Sequence, residues 1–572
     1  MYVLTVAYSA LLPFLKNGEP YGIVKQTLDD TTMLPPGLRT PREAVLYYDQ
    51  VYFDLINNGK AYPFIYPWAT VGAAVIIGYL LIDHRKSPWL QWARWPVFAF
   101  LCLFQGWCIA TNRARYCASA FGVGLLSFWG TLWVAAIMIA NDCQRDFKRI
   151  ERRSDTTERA ANTETNSSAS TIEQKELNAR QRRPTAQGSD GSSDGKHNES
   201  RNELYWQEYP SGPLIARLDW VADCFCSFRG VGWNWQTSGI PPPPQWAQTQ
   251  LGDNSNTDNT TNDSRYTKSR TGIRRFFTRA ELLRDCLISL TSTYFILDFT
   301  LTLMHRDPYF IGYTTASAPS HLPQIIQNSH FLTKSFRLLL SLTGIYTALY
   351  SIFKLGPLFF SCLLGSKVLG LRGEAWMNPA DMFGSYAMIL DKGLAGWWGG
   401  WWHQTFRYGF EAPATAILAA TGIEKKSTKG RLVSLCIAFF LSGCVHACGS
   451  YTQLGDTRPL LGPMRFFLLQ AVGIMAQTVA THQLRTAGIL EKCPKLIKQA
   501  ANFALVHVWL YYTAPLLVDD FAQGGVWLFE PLPFSVLRGL GFGAVDDQFF
   551  CWWHGLFWWR TGKHWWDTGI AL

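Results

Sequence analysis

Eight stretches of this chain are apolar over about the length a helix needs to cross a hydrocarbon layer, and nothing else in the sequence constrains the fold as strongly. A layer about 30 Å thick calls for about 20 mostly apolar helical residues. The stretches are Pro67–Ile82, Trp95–Ile109, Phe121–Ala140, Leu283–Met304, Phe336–Leu364, Leu432–Tyr451, Met464–Ala480 and Phe503–Val518. Several are interrupted by Gly, Ser or Thr, which suits helices packed on helices in lipid. Leu516–Trp566 leaves room for one more. The expected fold is therefore all-α: a polytopic membrane protein of about 8–10 transmembrane helices with added re-entrant or interfacial helices.

The mean hydropathy of −0.01 hides this because one segment dilutes the rest. Residues 141–280 hold 20 of the 52 Lys and Arg and 18 of the 42 Asp and Glu. Asn141–Glu203 has almost no large apolar residues and cannot offset its conformational entropy, so it is predicted to be disordered. Residues 252–272 are similarly polar, and Pro241–Pro244 reads as a stiff polyproline spacer. The organisation that follows is an N-terminal transmembrane region of about three spans (1–140), a loop (141–280) with an interfacial segment near 210–235, and a second transmembrane region (281–572). Leu214–Val221 carries an apolar stripe at helical spacing and leads into Arg229-Gly230-Val231-Gly232-Trp233-Asn234-Trp235. This reads as an interfacial helix ended by a glycine turn, with its tryptophans at headgroup level. A surface loop with some apolar residues is the alternative.

Arg145, Lys148, Arg149, Arg152 and Arg153 follow the third stretch, and Arg265, Lys268, Arg270, Arg274, Arg275 and Arg279 precede or open the fourth. Positive residues mark cytosolic ends, so the loop is expected to be cytosolic. Alternation then puts Lys367–Arg431 on the same side. The net charge of +10 resolves into these flanks and implies no nucleic-acid surface. The sequons at Asn166, Asn198, Asn259 and Asn262 would face the cytosol unmodified. Met1–Leu15 is apolar but short and lacks a basic start, so no cleaved signal is expected. The 13 cysteines form no CxxC pair, and no metal site or disulfide framework is predicted. Aromatics make up 15% of residues, which suits membrane interfaces.

None of the 11 histidines stands in a His-x-x-x-Asp or His-x-x-x-x-Asp pattern. Gly191-Ser192-Ser193-Asp194-Gly195 matches Gly-x-Ser-x-Gly, but it lies in the polar segment with no strand before it, so it is set aside as chance. No dinucleotide fingerprint or P-loop is present. Two histidines stand out. His446 falls inside an apolar span, four residues after Ser442, where an ionisable side chain is costly and usually functional. A neutral imidazole there can accept a proton; a structural hydrogen bond to a neighbouring helix would explain it equally. Cys444 and Cys448 share a face that His446 does not, which argues against a metal site. His403 follows Trp397-Trp398-Gly399-Gly400-Trp401-Trp402 and stands four residues before Arg407. Paired tryptophans at helical spacing and two glycines suggest a broken helix at the membrane interface, turning polar groups inward. An aromatic belt with incidental polar residues is the alternative.

Pro379-Ala380-Asp381-Met382-Phe383-Gly384, Trp397–His403 and Ser442-Gly443-Cys444-Val445-His446 stand in an order and spacing that resembles the membrane-bound O-acyltransferase (MBOAT) superfamily, in its wax-synthase-like branch. The Arg229–Trp235 turn looks like one in fungal members, many of them in secondary-metabolite pathways. The resemblance implies that 281–572 is the catalytic region of an acyl-CoA-dependent O-acyltransferase. His446 would be the base and His403 a second catalytic group. Trp398, Trp402, Gln404, Arg407 and Ser442 would contact substrate or coenzyme A. Trp402 or Gln404 would help hold the oxyanion, and Lys425 and Lys426 would join Arg407 at the phosphates. No cofactor is implied beyond acyl-CoA, with acetyl-CoA favoured as donor. The acceptor would be a lipophilic hydroxyl compound such as a terpenoid, reached from the bilayer, in the endoplasmic reticulum membrane. The family's arginine is replaced by Gly400, so Arg407 or Lys392 must substitute. Long-chain wax ester synthesis is the alternative within the class. A transporter or an inactive lipid-binding protein is the alternative outside it.

Overall fold

The computed structural model describes residues 34–153, 203–252, 267–379 and 381–572. Long helices begin where the sequence supplies caps. Helix α1 (Pro41–Asn57) starts behind Thr40, whose hydroxyl accepts from the Glu43 N–H at 3.3 Å, with Pro41 in the first turn. It is followed by α2 (Val71–Leu80), α3 (Pro88–Thr111) and α4 (Cys117–Val134), which runs on through a π turn to Ile139. Helix α5 (Leu214–Cys226) lies in the connector. Thr278 caps α6 (Arg279–His305), Ser329 caps α7 (His330–Pro357), and α8 (Ala387–Gly396) and α9 (Arg407–Ala420) follow. Ser427 caps α10 (Thr428–Thr452), which leads to α11 (Arg465–Thr486), α12 (Lys495–Thr513) and α13 (Pro515–Gln523).

Among the described residues, seven helical segments are long and apolar enough to cross a membrane: Pro88–Thr111, Cys117–Ile139, Arg279–His305, His330–Leu364, Thr428–Thr452, Leu460–Thr486 and Lys495–Gln523. A shorter apolar helix, Trp68–Leu80, accompanies them. These match the eight stretches one for one, and the all-α membrane architecture is borne out. Their outer faces are apolar, with Leu103 72% and Tyr512 71% exposed, as lipid contact requires. Small residues bring the central pair together. The Gly124 N–H donates to the Thr452 hydroxyl at 3.0 Å, and a Cβ at Gly124 would strike the Cys448 carbonyl.

Leu516–Trp566 adds no further span. Past Gln523 the chain folds over one end of the bundle. There the Asp298 carboxylate of α6 accepts from the Ser535 hydroxyl and from the N–H groups of Val536 and Leu537, at 3.0 and 3.1 Å for the latter two. Ile65–Tyr66 pairs with Gly569–Ala571, and Arg115 and His554 both bind Asp49, at 2.6 and 2.8 Å.

The connector departs from expectation. Residues 141–153, placed at the start of the disordered stretch, are ordered. Cys143–Asp146 is helical, and Arg149–Arg152 pairs antiparallel with Leu204–Gln207. Phe147 and Ile150 are buried, and Arg149 reaches Asp219 at 2.6 Å and Asp223 at 2.9 Å, contacts that local composition does not reveal. Residues 267–272 are ordered as well, with the Ser269 N–H bonded to the Ile273 carbonyl at 2.8 Å. Pro241 and Pro242 act as no spacer, since both carbonyls accept from the Arg275 guanidinium. Helix α5 does expose Leu214 and Ile215, but the turn after it puts its tryptophans inside: Trp233 is buried and Trp235 packs on Tyr408. The expectations for Met1–Leu15, the four sequons, the Gly191–Gly195 match, Arg265 and the rest of the polar stretches lie outside the described residues.

Candidate active site

His446 sits on α10 with its ring against Phe467 of α11, centroids 4.4 Å apart. Gly443 makes room for this approach, because a Cβ there would meet the Met464 sulfur at 2.7 Å. The His446 Nδ1 lies 2.9 Å from the Ser442 carbonyl. A carbonyl only accepts, so Nδ1 carries the hydrogen and Nε2 keeps its lone pair. Ser442 thus meets the imidazole through its backbone and sets its tautomer; its hydroxyl takes no part in that bond.

The tryptophan segment explains how His403 is presented. Helix α8 ends at Gly396, residues Trp397–Trp401 form a π turn, and Trp402 is extended. Single π turns widen a helix locally and recur at functional sites. The expected pairs of rings do form, Trp397 with Trp401 at 4.5 Å and Trp398 with Trp402 at 6.0 Å. The pairing of His403 with Arg407 does not, because the helix has already broken. Arg407 instead binds Glu411 at 2.7 Å and the Gln404 side-chain oxygen at 3.1 Å. Trp398 rests among Phe439, Phe466 and Phe467, so Phe467 touches both the His446 ring and the tryptophan segment.

His403 is enclosed by Phe353, Phe383, Trp402 and Phe406, with centroids 5.3 to 5.8 Å away. Its Nδ1 is buried with no hydrogen-bond partner among the described residues. Burial, and then the nearby charge of His446, pull its pKa from 6.5 down to about 3, so His403 is neutral at physiological pH. The two histidines, 43 residues apart in the chain by their numbering, are close enough to feel each other's charge.

Gln404 is not free to donate. Its side-chain nitrogen donates to the carbonyls of Trp398 at 3.0 Å and Trp402 at 2.6 Å. The Trp402 indole N–H meets no acceptor among the described residues, whereas that of Trp398 points at Gln470, 3.4 Å away. Gln470, wholly buried, also donates to Thr513 at 3.2 Å.

Beside this segment is an open basin of about 1360 Å³ whose lining includes Gly399 and Arg407. Lys148, Lys268, Arg270 and Lys392 also line it, and among the described residues no carboxylate does. Arg407 and Lys392 thus line the same basin. Lys425 and Lys426 are not among the lining residues; Lys425 binds the Thr415 hydroxyl at 3.0 Å. Lys148, Lys268 and Arg270 were legible only as topology signals.

A second group includes Arg274, read in the sequence only as a topology signal, and Asp381, quoted only as part of a motif; their pairing was not foreseen. Asp381 accepts from Arg274 at 2.8 and 3.0 Å and from Lys354 at 3.2 Å, and Lys354 also binds Asp285 at 2.6 Å. Burial alone would raise the Asp381 carboxyl, but Arg274 and Lys354 hold it below its ordinary value. The signal was present: Asp285 and Lys354 are charges within apolar stretches.

Residues 379–469, which contain all three motifs, match the membrane bound O-acyl transferase family. The chain is similar to O-Mevalon transferase macI of Penicillium terrestre, 25% identical over 276 residues, covering 46% of this chain and 52% of the relative. It is also similar to O-Mevalon transferase yanI of Aspergillus niger, 27% identical over 285 residues, with coverages of 48% and 55%. Acetyltransferase eriL of Hericium erinaceus is 26% identical over 212 residues, with coverages of 34% and 50%. The chain spans about half the length of these curated relatives. No solved structure matches. The resemblance to fungal acyltransferases of this family is thus borne out.

Proposed function

We propose that this protein is a membrane-bound O-acyltransferase that moves an acyl group, acetyl by preference, from a coenzyme A thioester to a hydroxyl of a lipophilic acceptor such as a terpenoid. The observation that carries this reading is the approach of two buried histidines, within range of each other's charge, beside a segment that also lines a basin with five cations. Phosphates of acyl-CoA suit such a basin, since guanidinium and ammonium groups bind them through charge-assisted hydrogen bonds. Lys392 and Arg407 take over from the arginine that Gly400 replaces. His446 Nε2 accepts the acceptor's hydroxyl proton as the oxygen attacks the thioester carbonyl. The carbon–sulfur bond then breaks, and the coenzyme A thiolate leaves and takes up the proton. A neutral His403 keeps one ring N–H to donate to the oxyanion, together with the Trp402 indole. Ser442 orients the base, while Gln404 and Trp398 hold the segment in shape.

A cytosolic position for the basin follows from the basic flanks and from where coenzyme A is found, and we assign the protein to the endoplasmic reticulum membrane. Relatives named for acetyl and mevalon transfer support a short acyl donor over a fatty one. The test is to incubate membranes holding the protein with radiolabelled acetyl-CoA or palmitoyl-CoA and a lipid extract of the producing cells. A labelled ester from acetyl-CoA is expected. A product from palmitoyl-CoA alone would favour wax ester synthesis, and no product from any acyl-CoA would refute the enzyme reading.

A further inference from the structure

We propose that the Arg229–Trp235 turn is a positioning element of the reaction site, gripping both ends of the segment that carries His403. The proposal rests on the catalytic reading of His403 given above. Arg229 donates through one nitrogen to the Asp381 carbonyl at 2.9 Å and through another to the Pro379 carbonyl at 3.1 Å. Its fork is thus spent on two backbone oxygens, and burial lowers its pKa to about 10. The stretch it shapes ends in Phe383, whose ring lies 5.8 Å from His403 and 5.4 Å from Trp402. The next residue, Gly384, donates its N–H to the Trp401 carbonyl at 2.8 Å.

At the other end, Trp235 packs on Tyr408 with centroids 4.4 Å apart. Tyr408 follows Arg407, so the turn holds the chain on both sides of His403. Two glycines make this possible. Gly230 has φ +64°, and a Cβ there would lie 2.5 Å from the Trp235 ring. Gly232 has φ +73°, and a Cβ there would lie 2.5 Å from the Met377 methyl. Both backbone conformations are ones that residues with a side chain rarely adopt, and at 230 the Trp235 ring also fills the space a Cβ would need. Trp233 and Asn234 of the same turn, with Gln236 just after it, line the cation-lined basin. One short element therefore touches the place where a donor would enter and the segment where it would react.

The experiment uses the full chain purified in detergent, comparing wild type, Arg229→Ala and Arg229→Lys. Amides in residues 379–408 should exchange hydrogen about tenfold faster in Arg229→Ala, with those of 279–305 unchanged. A positioning loss of about 1 Å should lower kcat for labelled ester formation roughly 100-fold, while the KM for acetyl-CoA stays within about threefold. Arg229→Lys, which can reach one carbonyl at a time, should fall between. Unchanged exchange in 379–408, or an equal rise throughout the protein, would overturn the proposal. So would a raised KM with kcat intact, which would place the turn in donor binding. Should the alanine variant fail to accumulate, the same comparison on Arg229→Lys decides. If wild type forms no ester, the catalytic reading falls, and the exchange data still judge the grip on 379–408.

Discussion

Gly384→Ala offers the sharpest test of how the site is held. An ideal Cβ at residue 384 would stand 2.5 Å from the Thr271 carbonyl oxygen and closer still to that of Gly400. Folded proteins essentially never bring a Cβ within 3.0 Å of another heavy atom, so both backbones must yield. Neither obstacle is a flexible side chain. Thr271 is tied by the Ser385 N–H at 2.6 Å, and the π turn that holds Gly400 by the Gly384 N–H to the Trp401 carbonyl. The displacement comes to roughly 1 Å and is passed through Trp401 and Trp402 to His403. A misplacement of that size costs roughly 100-fold in rate, or about 2.7 kcal/mol of barrier. Overpacking adds about 1–3 kcal/mol of lost stability. Gly399→Ala is the control, because a Cβ there meets nothing within 4 Å. The assay is the initial rate of labelled ester formation in membranes, normalised to protein, over a range of acetyl-CoA. Gly384→Ala should lose kcat with KM for acetyl-CoA within about threefold of wild type, and Gly399→Ala, whose Cβ would point into open space at the basin, should keep kcat. Gly384→Ala at wild-type rate, or Gly399→Ala equally impaired, would refute the reasoning.

His446→Ala should abolish ester formation while the protein still accumulates in the membrane, as measured by immunoblot beside the rate assay; full activity would remove His446 from the mechanism. The imidazole of His403, pulled down to about 3, resists a proton that the unfolded chain accepts below about 6.5. Its contribution to stability is therefore whole above about pH 6.5 and declines by about 1.36 kcal/mol per unit as pH falls toward 3. Melting from pH 7.5 to pH 5 should consequently drop more steeply for wild type than for His403→Gln. Lys268→Glu and Arg270→Glu together should raise the KM for acetyl-CoA about tenfold or more and leave kcat nearly unchanged, since they touch the basin and not the reacting groups. A fall in kcat alone would contradict that division.

His446 and His403 were legible in the sequence because each breaks a local rule. One is ionisable within an apolar span, and the other follows four tryptophans and two glycines where a helix cannot continue. Arg407 and Lys392 became candidate phosphate partners only through the resemblance; both line the basin, whereas Lys425 and Lys426, which looked equally suitable, do not. Gln404 looked like a free donor until its two hydrogens were found on the Trp398 and Trp402 carbonyls. Hydrogen-bond partners depend on where a chain turns, and spacing alone does not supply that.

The membrane body was determined by the sequence itself, since transfer of apolar surface out of water depends only on composition over a run of about 20 residues. The caps at Thr40, Thr278, Ser329 and Ser427 are equally local, each bond reaching three residues ahead. Order in the connector was decided by tertiary structure. Arg149, Arg229 and Arg274 look like solvated charges in a polar loop, and they become fixed only because Asp219, Asp223, Asp381 and the Pro379 carbonyl arrive from distant parts of the chain. A charge is worth burying only beside its partner, and a sequence window does not contain the partner.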